Sequence, residues 1–118
     1  ALQYAHTADV LADCSGLSMP AIHIVGGGSQ NAHLSQMTAD VSQRDVVTGP
    51  IEATAIGNAI VQAIASGEIA DIQTARAMIE VSESNFGRFT PQSDNLFIAK
   101  LANLLARYKD LIKLEESK

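Results

Sequence analysis

Tryptophan is absent from this chain of 118 residues, and the aromatic residues are only Phe86, Phe89, Phe97, Tyr4 and Tyr108. Alanine and isoleucine therefore have to fill the core, which favours closely packed helices on a small sheet. The single cysteine, Cys14, excludes an internal disulfide and fits a reducing, cytoplasmic setting. Basic residues are scarce, 8 against 13 acidic ones, and the net charge of −5 argues against a nucleic-acid partner, whose phosphates call for a basic patch. The one short basic stretch, Arg107 to Lys113, is interleaved with Asp110 and apolar residues and reads as the solvated face of a helix. No apolar run approaches the ~20 residues of a membrane span. Nor does a charged segment followed by an apolar one open the chain, so neither a membrane partner nor a secretion signal is expected. The length allows one domain with one modest core.

What the chain does have is a glycine turn in a telling place. Gly26-Gly27-Gly28-Ser29-Gln30-Asn31 follows directly on the apolar run Ala21-Ile22-His23-Ile24-Val25. A strand that runs into glycines and then a helix brings bare backbone N–H groups to a ligand at the positive end of a helix dipole, which suits the phosphate and ribose of a nucleotide. The run is not a dinucleotide fingerprint. Asn31 stands where that pattern needs a sixth-position Gly or Ala, and Val47-Thr48-Gly49 stands where it needs an acid after the second strand. No Gly-Lys-Ser/Thr follows, which excludes a P-loop.

Hydrophobic periodicity predicts a helix-rich α/β fold. A helix over Ala1 to Ala12, with Tyr4, Ala8 and Leu11 on one face, ends at Ser15-Gly16. Ala21 to Val25 is predicted as a strand buried on both faces, and Asp45 to Thr48 as a second strand. Between them Asn31 to Gln43 is predicted as a helix, with Leu34, Met37, Thr38 and Val41 inward and His33, Gln36, Asp40 and Gln43 outward. Strand, helix and strand then make a parallel βαβ unit. Gly49-Pro50 leads into a helix over Ala53 to Ser66, expected to be mostly buried because no charge occurs between Glu52 and Glu68. Asp71 is the expected N-cap of a helix to about Ser82. Ser84 to Ser93 reads as a loop. A last helix starts near Asp94, with Phe97, Leu101, Leu104, Leu105, Tyr108 and Ile112 on one stripe, and frays after Leu114. Two strands are too few for a free-standing sheet, so further strands are expected to belong to a portion outside these residues.

Other candidates carry little chemistry. His6, His23 and His33 have no cysteine or carboxylate at metal-ligand spacing, and His23 is expected to be a hydrogen-bonded core residue. Cys14, placed in a turn, has no activating neighbour. Asp40 is expected to be solvated on the polar face of its helix. Glu52 complements the helix dipole, and Gly57 is read as a place for another helix to approach. Thus no catalytic residue and no metal ligand is assigned.

Taken in order, Ile24-Val25-Gly26-Gly27-Gly28-Ser29-Gln30-Asn31, Gln36-Met37-Thr38-Ala39-Asp40 and Gly49-Pro50-Ile51-Glu52-Ala53-Thr54-Ala55-Ile56-Gly57-Asn58 resemble the C-terminal ATP-binding domain of the FGGY carbohydrate kinases. Within that family the likeness is to the branch that phosphorylates L-rhamnulose, and Phe89-Thr90-Pro91-Gln92 with Asp94 and a long final helix extends it over essentially the whole chain. The resemblance implies part of an actin-like, ribonuclease-H-like ATPase domain, closing with a second domain on a ketose sugar and Mg-ATP. It implies that Gly27 and Gly28 approach the phosphates and ribose, that Asn31 contacts the adenine in some members, and that Gly26 serves the turn. The family's Asp-x-Gly-Thr phosphate loop, its catalytic Asp, its sugar-binding residues and most of its Mg2+ site have no counterpart here and are expected upstream. The 118 residues alone are therefore expected to be inactive. Some members carry a cysteine pair in the helix after the glycine turn. Thr38 and Ser42 stand there instead. Two alternatives remain: another ketose, such as L-fuculose or D-xylulose, or a stand-alone nucleotide-binding or interaction module.

Overall fold

A computed structural model describes residues 1–82, 86–92 and 94–116. Among these, the order of elements is α1 (Leu2–Ser15), β1 (Ala21–Ile24), a 3-10 turn (Gly26–Gln30), α2 (Ala32–Ser42), β2 (Asp45–Thr48), α3 (Ala53–Ala65), α4 (Ile72–Ser82), β3 (Arg88–Phe89) and α5 (Asn95–Glu116). The strands form one sheet in the order β1-β2-β3. The fold is thus mixed α/β and rich in helix. Every expected helix and both expected strands are present. β3 is an addition, because it lies in the stretch read as a loop, and two residues are too few to show a period. Ser84 and Ser93, the ends of that loop, lie outside the described residues.

The chain divides into two compact units, one of Ala1–Ile22, Asn31–Val46 and Arg88–Lys118, the other of His23–Gln30 and Val47–Gly87. In the first unit α1 packs on α2, and α5 packs on both. The buried residues are small: Ala5 and Ala8 of α1, with Ser35, Thr38, Ala39, Asp40, Val41 and Ser42 of α2. This rotates α2 away from the expected orientation. Met37, expected inside, is 42% exposed, and Asp40, expected in solvent, is 3% exposed. Alanines on α1 allow close approach, so the serine and alanine positions of α2 face the contact while the long side chains turn out. For the same reason Tyr4 and Leu11 are exposed. Helix α1 runs three residues beyond Ala12, so Cys14 sits on the helix and not in a turn. Gly16, at φ 65°, closes it by donating its N–H to the Ala12 carbonyl at 2.9 Å.

Helix α5 keeps Leu101, Leu105, Tyr108 and Ile112 half-buried, leaves Phe97 and Leu104 exposed, and extends to Glu116, two residues past Leu114. Asp94 starts it by accepting the Leu96 N–H at 3.0 Å. Lys109 departs from the expected solvated face: its Nζ donates to Asp9 Oδ2 at 2.7 Å, while Arg44 Nη1 meets Asp9 Oδ1 at 2.8 Å. Arg44 Nε also donates to the Met19 carbonyl at 3.1 Å. One carboxylate therefore ties α1, the α2–β2 turn and α5 together. Burial raises the Asp9 pKa, but the hydrogen bonds and charges of Lys109 and Arg44 outweigh it and hold the carboxyl below its usual 3.8.

In the second unit Gly49 donates its N–H to the Ile24 carbonyl at 2.8 Å, and Gly26 donates to the Pro50 carbonyl at 3.0 Å. The pairing advances in the same direction along both chains, so β1 and β2 are parallel, as the βαβ reading expects. Strand β1 is not buried on both faces. It lies at a sheet edge, and His23, expected in the core, is exposed, its imidazole making no hydrogen bond among the described residues. Helix α4 starts with Asp71 Oδ1 accepting the Thr74 N–H at 2.7 Å, the expected N-cap. Helix α3 packs on α4 through the predicted face, yet Ile56, Ile60, Ala63 and Ile64 are only half-buried and no residue of α3 is fully buried. Among the described residues α4 is the helix packed most closely on it, and that contact is small. A Cβ at Gly57 meets nothing within 4 Å, so no second helix approaches there among the described residues.

Candidate nucleotide site

The glycine turn leaves β1 as a single 3-10 turn, Gly26–Gln30. Gly26 has φ +76°, a conformation that only glycine adopts without strain, and its N–H is bound by Pro50. Ser29 closes the turn by donating its Oγ hydrogen to the Gly26 carbonyl at 2.6 Å. Gly27 differs from its neighbours. Its φ lies outside the left-handed range, and a Cβ built there meets no atom within 4 Å. Among the described residues nothing requires glycine at 27, and none fills the space above it. At Gly28 the nearest atom to a Cβ is Ile24 Cγ2 at 3.7 Å, an ordinary contact. Gly26 therefore has a structural reason to be glycine, whereas Gly27 and Gly28 have room in front of them.

The second glycine constellation meets the first. The Gly26–Pro50 hydrogen bond holds the start of the turn against the loop that leads into α3, and Ile51 O lies 3.9 Å from a Cβ at Gly26. Gly49 is a glycine for steric reasons that its sequence context does not reveal. A Cβ there would lie 2.8 Å from Val25 Cγ1, closer than carbon atoms pack. Thr48, just before it, is buried. Its N–H donates to the Gly87 carbonyl at 2.8 Å and its Oγ1 accepts the Gly87 N–H at 2.9 Å, which anchors the approach to β3.

In the other unit Asn31 caps α2: its Oδ1 accepts the Leu34 N–H at 2.9 Å. Its Nδ2 makes no hydrogen bond among the described residues and the side chain is exposed. Asp40 is committed to structure. Its Oδ1 accepts from Gln36 Nε2 and from the Gln92 N–H, both at 2.9 Å, and Gln36 Nε2 also donates to the Thr90 carbonyl at 2.9 Å. The Gln-x-x-x-Asp spacing of α2 thus clamps the segment after β3, a role invisible in sequence because its partners lie more than fifty residues away.

The open space before Gly27 fits a ligand that approaches bare backbone, as a nucleotide does. A metal is another matter. Among the described residues no group of three or more His, Cys, Asp or Glu is placed to hold a metal ion. The sequence profile of the C-terminal domain of the FGGY family of carbohydrate kinases matches residues 1–66. The chain belongs to that family.

Individual relatives agree. The chain is similar to a rhamnulokinase of Ligilactobacillus salivarius, 36% identical over 115 residues, which is 98% of this chain and 22% of that protein. It is also similar to the Enterococcus faecalis rhamnulokinase, 45% identical over 70% of this chain and 17% of the relative. With the Bacillus subtilis rhamnulokinase the identity is 52% over 51% of this chain and 12% of the relative. The chain thus spans 12–22% of the length of these relatives. No helix among the described residues is long and apolar enough to cross a membrane.

Proposed function

We propose that these 118 residues are the C-terminal nucleotide-binding portion of a longer, cytoplasmic sugar kinase with an actin-like, ribonuclease-H-like ATPase domain. Its reaction transfers the γ-phosphoryl group of Mg-ATP to L-rhamnulose, giving L-rhamnulose 1-phosphate and ADP. The observation that carries the nucleotide reading is Gly27, for which no described residue requires glycine and none stands where a side chain would. Membership of the FGGY carbohydrate kinases supports the reaction class, and the rhamnulokinase relatives support the sugar.

In this reading the backbone N–H groups at Gly27 and Gly28 receive the phosphates and ribose, and Gly26, bound to Pro50, fixes where the turn stands. Asn31 divides its side chain between two tasks. Oδ1 holds the first turn of α2, and Nδ2 is the donor left for a ring nitrogen of adenine. ATP supplies an electrophilic phosphorus and a good leaving group. Positioning and charge stabilisation do most of the rest in phosphoryl transfer, together with an acid that accepts the hydroxyl proton. No residue of this chain is assigned as that base or as a metal ligand, and both tasks fall to the rest of the polypeptide. Ketose-dependent ADP release by the protein expressed from its native reading frame tests the proposal, with L-rhamnulose preferred over L-fuculose and D-xylulose. ATP binding without turnover of any ketose would favour the stand-alone nucleotide-binding module instead.

A further inference from the structure

We propose that the outward face of α5 is self-complementary, and that two copies of this protein pair there as antiparallel helices. Helix α5 packs on α1 and α2, with Leu101, Leu105, Tyr108 and Ile112 half-buried. On the opposite face Leu96, Lys100, Asn103, Arg107, Asp110 and Leu114 are all exposed and stand in one line, spaced four, three, four, three and four residues apart. Leu96 and Leu114 are about five helical turns apart, so the line runs along the axis without drifting round it. Its two ends are apolar and open, Leu96 at 68% and Leu114 at 62% exposed. Phe97, Leu104 and Leu111 form an exposed apolar flank along one side of the line. Large apolar side chains gathered on one face mark a contact surface more often than scattered ones do.

The order of residues along the line identifies the occupant as a second copy. The spacing reads the same in both directions, so an antiparallel copy meets it rung for rung. Leu96 then faces Leu114, Lys100 faces Asp110 and Asn103 faces Arg107, each pair occurring twice about a twofold axis at the level of Leu105. The same axis brings the apolar flanks together, Leu104 against its own counterpart and Phe97 beside Leu111. A parallel pair would instead set Lys100 on Lys100 and Arg107 on Arg107, and like charges in contact repel. The leucines supply the burial, while the Lys100–Asp110 pairs fix direction and register more than affinity. A single pair of helices about 28 Å long lies at the small end of specific interfaces, so the dimer is expected to be weak and reversible.

Sedimentation equilibrium of the protein from its native reading frame, over a concentration series reaching about 300 µM, tests this. A monomer–dimer equilibrium is expected within that range. Lys100→Glu sets two carboxylates face to face at each Lys100–Asp110 pair and should weaken dimerisation at least about tenfold. Lys100→Glu combined with Asp110→Lys exchanges the two charges and should restore it. Both residues are exposed, so neither change should shift the unfolding midpoint of the dilute protein. A protein that stays monomeric throughout the series overturns the proposal and leaves this face to the rest of the longer polypeptide. A dimer that Lys100→Glu leaves intact, or that the double exchange fails to restore, overturns it equally. Neither readout uses catalysis, so ketose-dependent ADP release can stand while the pairing fails.

Discussion

Replacement of Gly27 separates a ligand role from a folding role more cleanly than any other change in this chain. Among the described residues a Cβ at Gly27 meets no atom within 4 Å, and the residue is not in the left-handed region. Gly27→Ala should therefore leave folding stability within about 0.5 kcal/mol of the parent, or raise it slightly by restricting the unfolded chain. On the proposed reading, Gly27→Val fills the space assigned to the nucleotide. A loss of at least about tenfold in ATP affinity, equivalent to about 1.4 kcal/mol, is the expected outcome, with sugar binding nearly unchanged. Two neighbouring glycines calibrate the result. Gly26→Ala forces an alanine to φ +76° and should cost about 1–2 kcal/mol of stability. Gly49→Ala drives a methyl to 2.8 Å from Val25 Cγ1 and should cost about 1–3 kcal/mol. Calorimetric ATP titration with thermal unfolding of the parent and the four variants is the assay. If Gly27→Val binds ATP within twofold of the parent, or loses ATP and sugar affinity together with stability, the argument from open space is wrong.

The remaining predictions concern the supports of the site. Asn31→Ala should lower stability by about 1 kcal/mol through loss of the α2 cap and weaken ATP by a similar amount through loss of one hydrogen bond. Asn31→Ser keeps a cap, so in parallel unfolding and binding measurements it should recover stability without recovering affinity. Asp40→Ala strands the Gln92 N–H and leaves Gln36 Nε2 with the Thr90 carbonyl alone, and should cost about 1–3 kcal/mol, with faster proteolysis around residues 90–92 as the local readout. Asp9→Asn should cost about 1 kcal/mol at neutral pH, since its pairs are partly screened. The folded pKa of Asp9 is depressed, so this contribution is present above the ordinary 3.8 and is lost as pH falls through the lower folded value. Denaturant unfolding of parent and variant should therefore differ near pH 7 and converge in acid.

Much of the fold is legible in the sequence because its elements announce their ends. Gly16 stops α1, Asn31 opens α2, Asp71 opens α4 and Asp94 opens α5, each through a hydrogen bond that the residue type predicts. Orientation is less legible. The period that put Met37 inside and Asp40 outside weighs side chains by hydrophobicity, whereas α2 packs by size, with Ser35 and Ala39 facing a helix whose buried residues are alanines. Long-range polar partners are not legible at all: nothing near Asp40 in sequence points to Gln92, and nothing near Thr48 points to Gly87. Of the candidate site, the three glycines stand together in one turn, but which of them fold requires could not be read from the run itself. Gly26 needs its positive φ and Gly49 its missing methyl, and only three-dimensional neighbours distinguish these from Gly27. The expectation of a buried α3 and a buried β1 came from their apolar composition. Both are partly open among the described residues, because α3 packs on α4 through a small contact and β1, at the sheet edge, has one strand partner.

The central claim, that the glycine turn receives a nucleotide, is tested most directly by selective 15N-glycine labelling of the protein from its native reading frame and addition of ATP. The account predicts that the Gly27 and Gly28 amide resonances move with ATP while those of Gly16 and Gly67, at helix ends elsewhere in the chain, stay in place. Saturating ATP that leaves Gly27 and Gly28 unmoved would contradict it.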